Sequence, residues 1–566
     1  MQDQKLENLL NLSLSATEEE RQKSGVLNIG YEPEFRTWDL IVKHTGDLMK
    51  YADEQVRIVE LYNEYAILTV SEDRIEQVAN WPEVEYIEKP KRLYFQITQG
   101  KRASCISKVQ IPPLGLTGRG VFVGVIDSGI DFRHPVFIGP DGTSRIRYLW
   151  DQTLDGIPPK GYGIGQEFTQ IELTEAIADE DLLQSRDSSG HGTGVAAIAA
   201  GNQGVAFESE LIVVRLGQPK KDSFPRTTEL MQAVNYVIEK AVELGKPIAV
   251  NLSFGNTYGS HAGNSLVETY LDDMANYGRT VLVVGSGNEG DSAGHTEVKL
   301  SMEKGTEVPF LIQDYETSLN IQIWKSYEDD VLLELVGPDG RRVGYFQTVL
   351  GPQRFQINET EILIYYGEPS PYSTYQEIFI DFIPQKTFID SGQWSLNMIP
   401  RRIVDGTMNL WMPTQTVVNV GTRFLNPTPE HTLTIPSTAQ KVITVGAYDS
   451  LRGTYAEFSG RGNSVDGRIK PDLAAPGVGI RTASPGNTYM VVNGTSFAAP
   501  FVTGSAALLM QYGIVDGNDP YLYGEKVKAY LRYGAQQLPG ILEYPNPLIG
   551  WGTLCVAQSL PKQGGL

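Results

Sequence analysis

An α/β pattern that stops near residue 297 and resumes near residue 442 constrains this chain more than any other feature. After Gly100, unbroken apolar strands alternate with helical stretches: 121–126 ends at Asp127, and 211–215, 248–254 and 280–284 follow. Strands buried on both faces read as such runs, and they form mostly parallel sheets with chemistry-bearing groups at the strand ends. Between them, residues 228–244 place Leu230, Val234, Val237, Ala241 and Leu244 on one helical face, and 265–277 offers another helix. Segments 319–323, 331–335, 361–365 and 378–383 then alternate or run apolar, parted by turns such as Gly337-Pro338-Asp339-Gly340. Residues 442–447 take up the first pattern again, so the all-β stretch is an insertion within the α/β domain.

Residues 36–96 read as a smaller α/β unit. Trp38, Leu40 and Val42 alternate as in a half-buried strand, and 58–61 with 65–70 form a hairpin around Asn63-Glu64. Ser71 caps a short helix with Ile75 and Val78 on one face, and 84–87 is a last strand before the basic tail Lys89-Pro90-Lys91-Arg92. With a helix at 46–52, the order suits a ferredoxin-like split unit. Residues 1–35 add a leucine-bearing helix and a second helix starting at Ser15 or Thr17, each with a glutamate three residues on.

Composition narrows the class. A chain of 566 residues exceeds what one hydrophobic core supports, so two or three folded units are expected. The 47 basic and 68 acidic residues leave a charge of -21, which argues against nucleic acid or an anionic membrane as partner. The N-terminus lacks the basic residues and apolar run of a secretory signal, and no window reaches about 18 uninterrupted apolar residues. A soluble protein retained by the cell that makes it is the expectation. Cys105 and Cys555 form no disulfide framework of the small-domain kind and no cysteine metal site; they are compatible with two buried thiols. Gly161-Tyr162-Gly163-Ile164-Gly165 follows no strand and lacks the spacing of a dinucleotide loop.

Three stretches carry chemistry. Ser496 lies in Asn493-Gly494-Thr495-Ser496, at the start of an apolar, helix-length run to Tyr512. A serine hydroxyl attacks only when a base takes its proton, a third group orients that base, and donors receive the oxyanion. His191, in Ser189-Gly190-His191-Gly192-Thr193-Gly194, precedes a small-residue helix, and Asp127 ends a buried strand in Asp127-Ser128-Gly129. Alone, each has an ordinary structural reading; together, in the order Asp, His, Ser, they resemble the subtilisin-like serine proteases, from about Thr117 to Ala557 apart from the insertion.

The resemblance implies roles. Ser496 attacks the scissile carbonyl, His191 takes and returns the proton, and Asp127 fixes the imidazole tautomer. Asn288, in Gly285-Ser286-Gly287-Asn288-Glu289-Gly290, donates its amide to the oxyanion. Ser253, Phe254 and Gly255 pair with extended substrate, while Gly285, Ser286 and Gly287 form the opposite wall of the first specificity pocket. It further implies that residues 1–96 are a prodomain that assists folding and inhibits, its tail 93–96 lying in the cleft and self-cleavage falling between Gln96 and Ile97. Gly194 stands where many subtilases have a second histidine, and the loop 201–210 lacks the Asn-rich insertion that carries calcium in secreted relatives. No metal and no cofactor is assigned.

A prodomain together with the long β insertion resembles the clostridial Csp germination proteases. That likeness implies a jelly-roll insertion at 297–431 between two parts of the protease domain, 97–296 and 432–566. It also implies location in the spore and a protein substrate, the precursor of a cortex-lytic enzyme. A catalytically silent sensor or scaffold and a general intracellular subtilase are the alternative readings.

Overall fold

A computed structural model describes residues 4–24, 26–91, 94–95, 103–179, 181–220, 224–349 and 351–561. The chain divides into two units, one of Met1–Arg92, Asn256–Leu266 and Glu289–Thr432, the other of Leu93–Gly255, Val267–Asn288 and Leu433–Leu566.

The first unit begins with two short helices, α1 (Asn8–Ser15) and α2 (Glu18–Lys23). Thr17, not Ser15, caps the second: its hydroxyl accepts from the Glu20 N–H and the Glu20 carboxylate accepts from the Thr17 N–H. Besides the two-residue strand Tyr31–Glu32, which pairs with Thr37–Trp38, four strands follow: β1 (Thr37–His44), β2 (Val56–Leu61), β3 (Tyr65–Ser71) and β4 (Val84–Glu88). They stand in the order β4-β1-β3-β2 with every neighbour antiparallel, and Trp38, Leu40 and Val42 point into the core. Helix α3 (Ile75–Ala79) buries Ile75 and Val78, although the Ser71 side chain does not cap it. The helix expected at 46–52 is only a 3-10 turn, Met49–Tyr51. Gly46 turns at φ 75°, and the Asp47 carboxylate accepts from the Met49 N–H at 2.8 Å, a local bond that competes with helix propagation.

The basic run after β4 is not a solvated tail. Lys89 is fully buried and donates to the carbonyls of Val26 (2.5 Å) and Leu27 (3.0 Å), and burial pulls its ammonium down to about 7. Lys91, also buried, bridges Glu7 (2.7 Å) and Glu88 (2.8 Å).

The inserted segment makes two antiparallel sheets. One holds six strands in the order His295–Lys299, Thr407–Trp411, Leu319–Ser326, Tyr375–Pro384, Thr360–Tyr366, Pro352–Ile357; the other runs Arg342–Gly344, Asp330–Val336, Gly392–Arg402, Thr306–Ile312, Arg423–Phe424. Period-two alternation sends Val331, Leu333 and Leu335 inward against Ile321, Ile323 and Phe382 in one shared core. The N-terminal segment packs on this sandwich. Arg354 grips the Glu20 carboxylate with two N–H groups, Asn8 exchanges hydrogen bonds with the Glu368 backbone at 3.2 Å each way, and Tyr86 meets Tyr372 edge-on at 5.7 Å.

In the second unit six neighbouring strands of a nine-stranded central sheet run parallel, in the order β6 (Ile146–Asp151), β7 (Glu210–Arg215), β5 (Phe122–Asp127), β8 (Ile248–Leu252), β9 (Thr280–Gly285) and β10 (Ile443–Asp449); Gln166–Thr169 adds antiparallel to β6, Thr454–Tyr455 antiparallel to β10 and Leu473–Pro476 parallel to β10. Helices α4 (His191–Ala200), α5 (Thr227–Glu243) and α6 (Thr495–Met510) belong to this unit. The stretch Thr495–Val515 is long and apolar enough to cross a membrane by composition, but 89% of it is buried as a core helix. Cys105 and Cys555 are not two thiols: they form a disulfide across 450 residues of chain. The Val556 N–H donates to the Ser104 carbonyl at 3.1 Å, which sets the two cysteines side by side.

The first unit carries a pH-sensitive contact. Burial, reinforced by the Glu7 carboxylate, pushes Glu377 up to about 8. A folded-state value above the ordinary one gives stability that is complete at low pH and is lost as pH rises from about 4 to about 8. Glu377→Gln removes that loss, so the fall in the thermal midpoint of the full chain between pH 5 and pH 8 should be smaller in the variant than in the wild type.

Candidate active site

Asp127 is the last residue of β5, and parallel pairing sets it level with Arg215 at the end of β7. Its Oδ1 accepts from the Ser128 N–H at 2.7 Å and lies 2.6 Å from His191 Nδ1, both side chains being fully buried. Gly192 permits that approach: a β-carbon there would stand 2.1 Å from the Gly129 carbonyl oxygen. Asp187 then fastens the start of α4. One oxygen accepts from Ser128 Oγ (2.8 Å) and the Gly190 N–H (3.0 Å), the other from the Thr193 N–H (2.8 Å) and Oγ1 (2.7 Å). These are helix-terminal N–H groups that no helical carbonyl reaches.

Ser496 occupies the second position of α6, where its own N–H is among those left free by the helix start. Its hydroxyl donates to the Ser253 carbonyl at 3.2 Å, and Ser253 Oγ donates back to the Ser496 carbonyl at 2.8 Å. A hydroxyl has one proton, so attack requires Ser496 to leave this acceptor for an imidazole nitrogen. The neighbouring Phe497 ring stands edge-on to His191 at 5.0 Å. Gly194 leaves no room for a second histidine, since a β-carbon would lie 2.9 Å from Met490, Phe497 and Thr482 atoms alike.

Asn288 follows β9. Its Oδ1 accepts from the Thr495 N–H (3.0 Å) and Oγ1 (3.1 Å). A backbone N–H can only donate, so the amide oxygen must face Thr495 and the NH2 group is turned away from it. That arrangement leaves the Asn288 NH2 group directed away from Thr495. Thr495 Oγ1 also accepts from the Gly287 N–H at 3.1 Å. Ser286 is fixed by its N–H to the Val445 carbonyl (2.9 Å) and by the Thr434 N–H donating to its own carbonyl (3.0 Å).

The two expected walls meet at one residue. A β-carbon on Gly255 would lie 2.5 Å from Thr434 Oγ1, and one on Gly287 (φ 96°) 2.6 Å from the same side chain. The backbone of Tyr94–Phe95 pairs antiparallel with Phe254–Gly255, Phe95 level with Phe254 and Tyr94 with Gly255. Gln96 and Ile97 lie outside the described residues, as does Leu93. Sequence reasoning missed Asp187, Thr495 and Thr434. Asp187 carried a capping signal, an acid just ahead of a helix start, and Thr495 adjoins the nucleophile candidate; nothing in the sequence draws Thr434 toward Gly255.

Nucleophile, imidazole and carboxylate candidates at strand ends and helix starts of an α/β unit form the arrangement that a serine peptidase of that type requires. Residues 118–316 and 417–552 match the Subtilase family, and residues 4–91 match the Csp protease B prodomain. The chain belongs to the subtilase family. It is similar to the solved CspB protease of Clostridium perfringens, with 33% identity and a TM-score of 0.75 over 81% of this chain and 95% of that one. Serine protease AprX of Bacillus subtilis is 35% identical over 152 residues, 23% of this chain and 32% of its own length. C5a peptidase of Streptococcus pyogenes is 24% identical over 426 residues, 70% of this chain and 35% of its own length. The chain thus spans about a third of the length of these curated relatives.

Replacing Asn288 by Ala removes the side-chain amide. Turnover of a chromogenic peptide is expected to fall by about 10²-fold with little change in KM, because the donor acts on charge that develops in the transition state.

Proposed function

We propose that this chain is a serine endopeptidase that cuts itself between Gln96 and Ile97 and keeps its N-terminal segment as an inhibitor. The observation that carries this reading is the antiparallel pairing of Tyr94–Phe95 with Phe254–Gly255. An extended segment added to a strand edge is how a peptidase binds substrate, and two more residues along the chain would bring Ile97 toward the serine. In the proposed reaction Ser496 gives its proton to His191 and attacks the Gln96 carbonyl; His191 returns that proton to the Ile97 amine as the peptide bond breaks, and water then hydrolyses the ester and frees Ser496. Asp127 holds the imidazole and stabilises its cation, and the oxyanion is received by Asn288 and the Ser496 N–H. Ser253, Phe254 and Gly255 bind the substrate backbone; Gly285, Ser286 and Gly287 form the facing wall, with Thr434 closing the pocket floor.

The strand order β4-β1-β3-β2 supports a ferredoxin-like prodomain whose first helix is reduced to a 3-10 turn. The two antiparallel sheets on one core support a jelly roll for the insertion. We take 1–96, 97–296, 297–431 and 432–566 as the functional divisions. Likeness to the Csp proteases supports action in the spore during germination, on the precursor of a cortex-lytic enzyme. Shortening of that purified precursor by the wild-type protein, and not by Ser496→Ala, tests the substrate.

Self-processing has its own test. Wild-type protein is expected as two fragments, the second beginning at Ile97 by N-terminal sequencing, and it should react with a fluorophosphonate probe. Ser496→Ala should give one uncleaved, unlabelled chain. Two fragments from that variant would falsify self-cleavage.

A further inference from the structure

Trp411 ends one strand of the insertion and is 1% exposed. Two imidazoles stack on its indole, His261 at 4.1 Å and His295 at 4.8 Å, with interplanar angles of 11° and 26°. Its Nε1–H donates to the His431 carbonyl at 3.0 Å. Backbone and side-chain bonds beside the ring tie the same segments. Thr257 Oγ1 donates to the Met412 carbonyl (2.9 Å), the Met412 N–H to the Gly294 carbonyl (2.8 Å), and the Gln415 N–H to the Glu289 carboxylate (3.2 Å). Three separate stretches, 257–261, 289–295 and the backbone at 431, are therefore fastened around one residue.

Each stretch runs directly into a segment with a role in the reaction proposed above. Thr257 is two residues beyond Gly255, Glu289 is bonded to Asn288, and His431 is three residues before Thr434. So short a connection limits how far its far end can move from the anchored one, since each residue spans at most about 3.6 Å. The first connection is stiffened further, because Asn256 Oδ1 accepts from the Tyr258 N–H at 2.8 Å. Stacked rings with a buried N–H bond have one packed arrangement, not a continuum. Burial also pulls His295 down to about 4, so this imidazole stacks on the indole in its neutral form near neutrality.

We infer that Trp411 is a positioning residue for the peptidase reaction, holding the substrate-pairing strand, the oxyanion loop and the pocket floor at one spacing. This rests on the peptidase reading, and the test separates the two.

The full chain is prepared with Trp411→Phe, which keeps a ring for both imidazoles but loses the N–H donor, and separately with Thr257→Val, which deletes one tie at nearly constant volume. Fluorophosphonate labelling reports Ser496; chromogenic peptides differing in the residue before the scissile bond report kcat, KM and preference. Trp411→Phe should label to the wild-type extent, lose about tenfold in kcat and show a flattened preference among the peptides. Thr257→Val should move the same way by about threefold with an unchanged unfolding midpoint. Wild-type kcat and preference in both variants overturn the inference, as do wild-type kinetics in Thr257→Val if Trp411→Phe does not fold. A wild-type protein that stays both uncleaved and unlabelled removes the peptidase reading, and this inference with it.

Discussion

The 2.6 Å contact between Asp127 and His191 sets the terms for the second unit. Both groups are fully buried, where an unpaired carboxylate would be costly, so the strand end and the helix start must arrive together. Parallel pairing with β7 places Asp127, while Asp187 accepts from the Gly190 and Thr193 N–H groups, and the Ser189 and Ser128 hydroxyls from those of His191 and Gly192, which fixes where the helix begins. Gly192 removes the one β-carbon that would hold the helix off. The proposed relay is therefore a consequence of sheet register and helix capping, not of the two side chains alone.

A parallel economy orients the groups around Ser496. One threonine, Thr495, gives its N–H and hydroxyl to the oxygen of Asn288 and accepts from Gly287, so a single residue turns the amide and pins the pocket wall. The reciprocal bonds of Ser253 and Ser496 tie the start of α6 to the segment that pairs with Tyr94–Phe95. Preorganised donors of this kind need little rearrangement when charge develops, which is where their rate effect comes from.

The first unit solves a different problem. Lys89 and Lys91 reach full burial because Val26, Leu27, Glu7 and Glu88 supply acceptors and counter-charge. The N-terminal helices gain their outer contacts from the insertion, through Arg354 on Glu20 and the Asn8–Glu368 exchange. Segments distant in sequence thus share one folded unit, joined mainly by satisfied polar groups.

Local pattern made much of this legible. Unbroken apolar runs located β5, β7, β8 and β9, period-two alternation at 331–335 marked an inserted strand, and the capping box at Thr17 marked a helix start. The motifs around Asp127, His191, Asn288 and Ser496 were readable because each needs only its neighbours in sequence. Other features were not. The helix expected at 46–52 gave way to an Asp47 side-chain turn, Lys89 and Lys91 of the basic run proved to be buried, and the two cysteines are joined across 450 residues. Thr434 between Gly255 and Gly287, and Trp411 beneath two histidines, have no sequence signature at all. The sequence by itself determined the strand and helix periods, the order of the chemical groups and the place of the insertion, since these rest on steric and hydrophobic preferences acting over a few residues. Only tertiary structure decided which distant residues meet, because those meetings depend on register, close packing and the need to satisfy every buried charge and polar group.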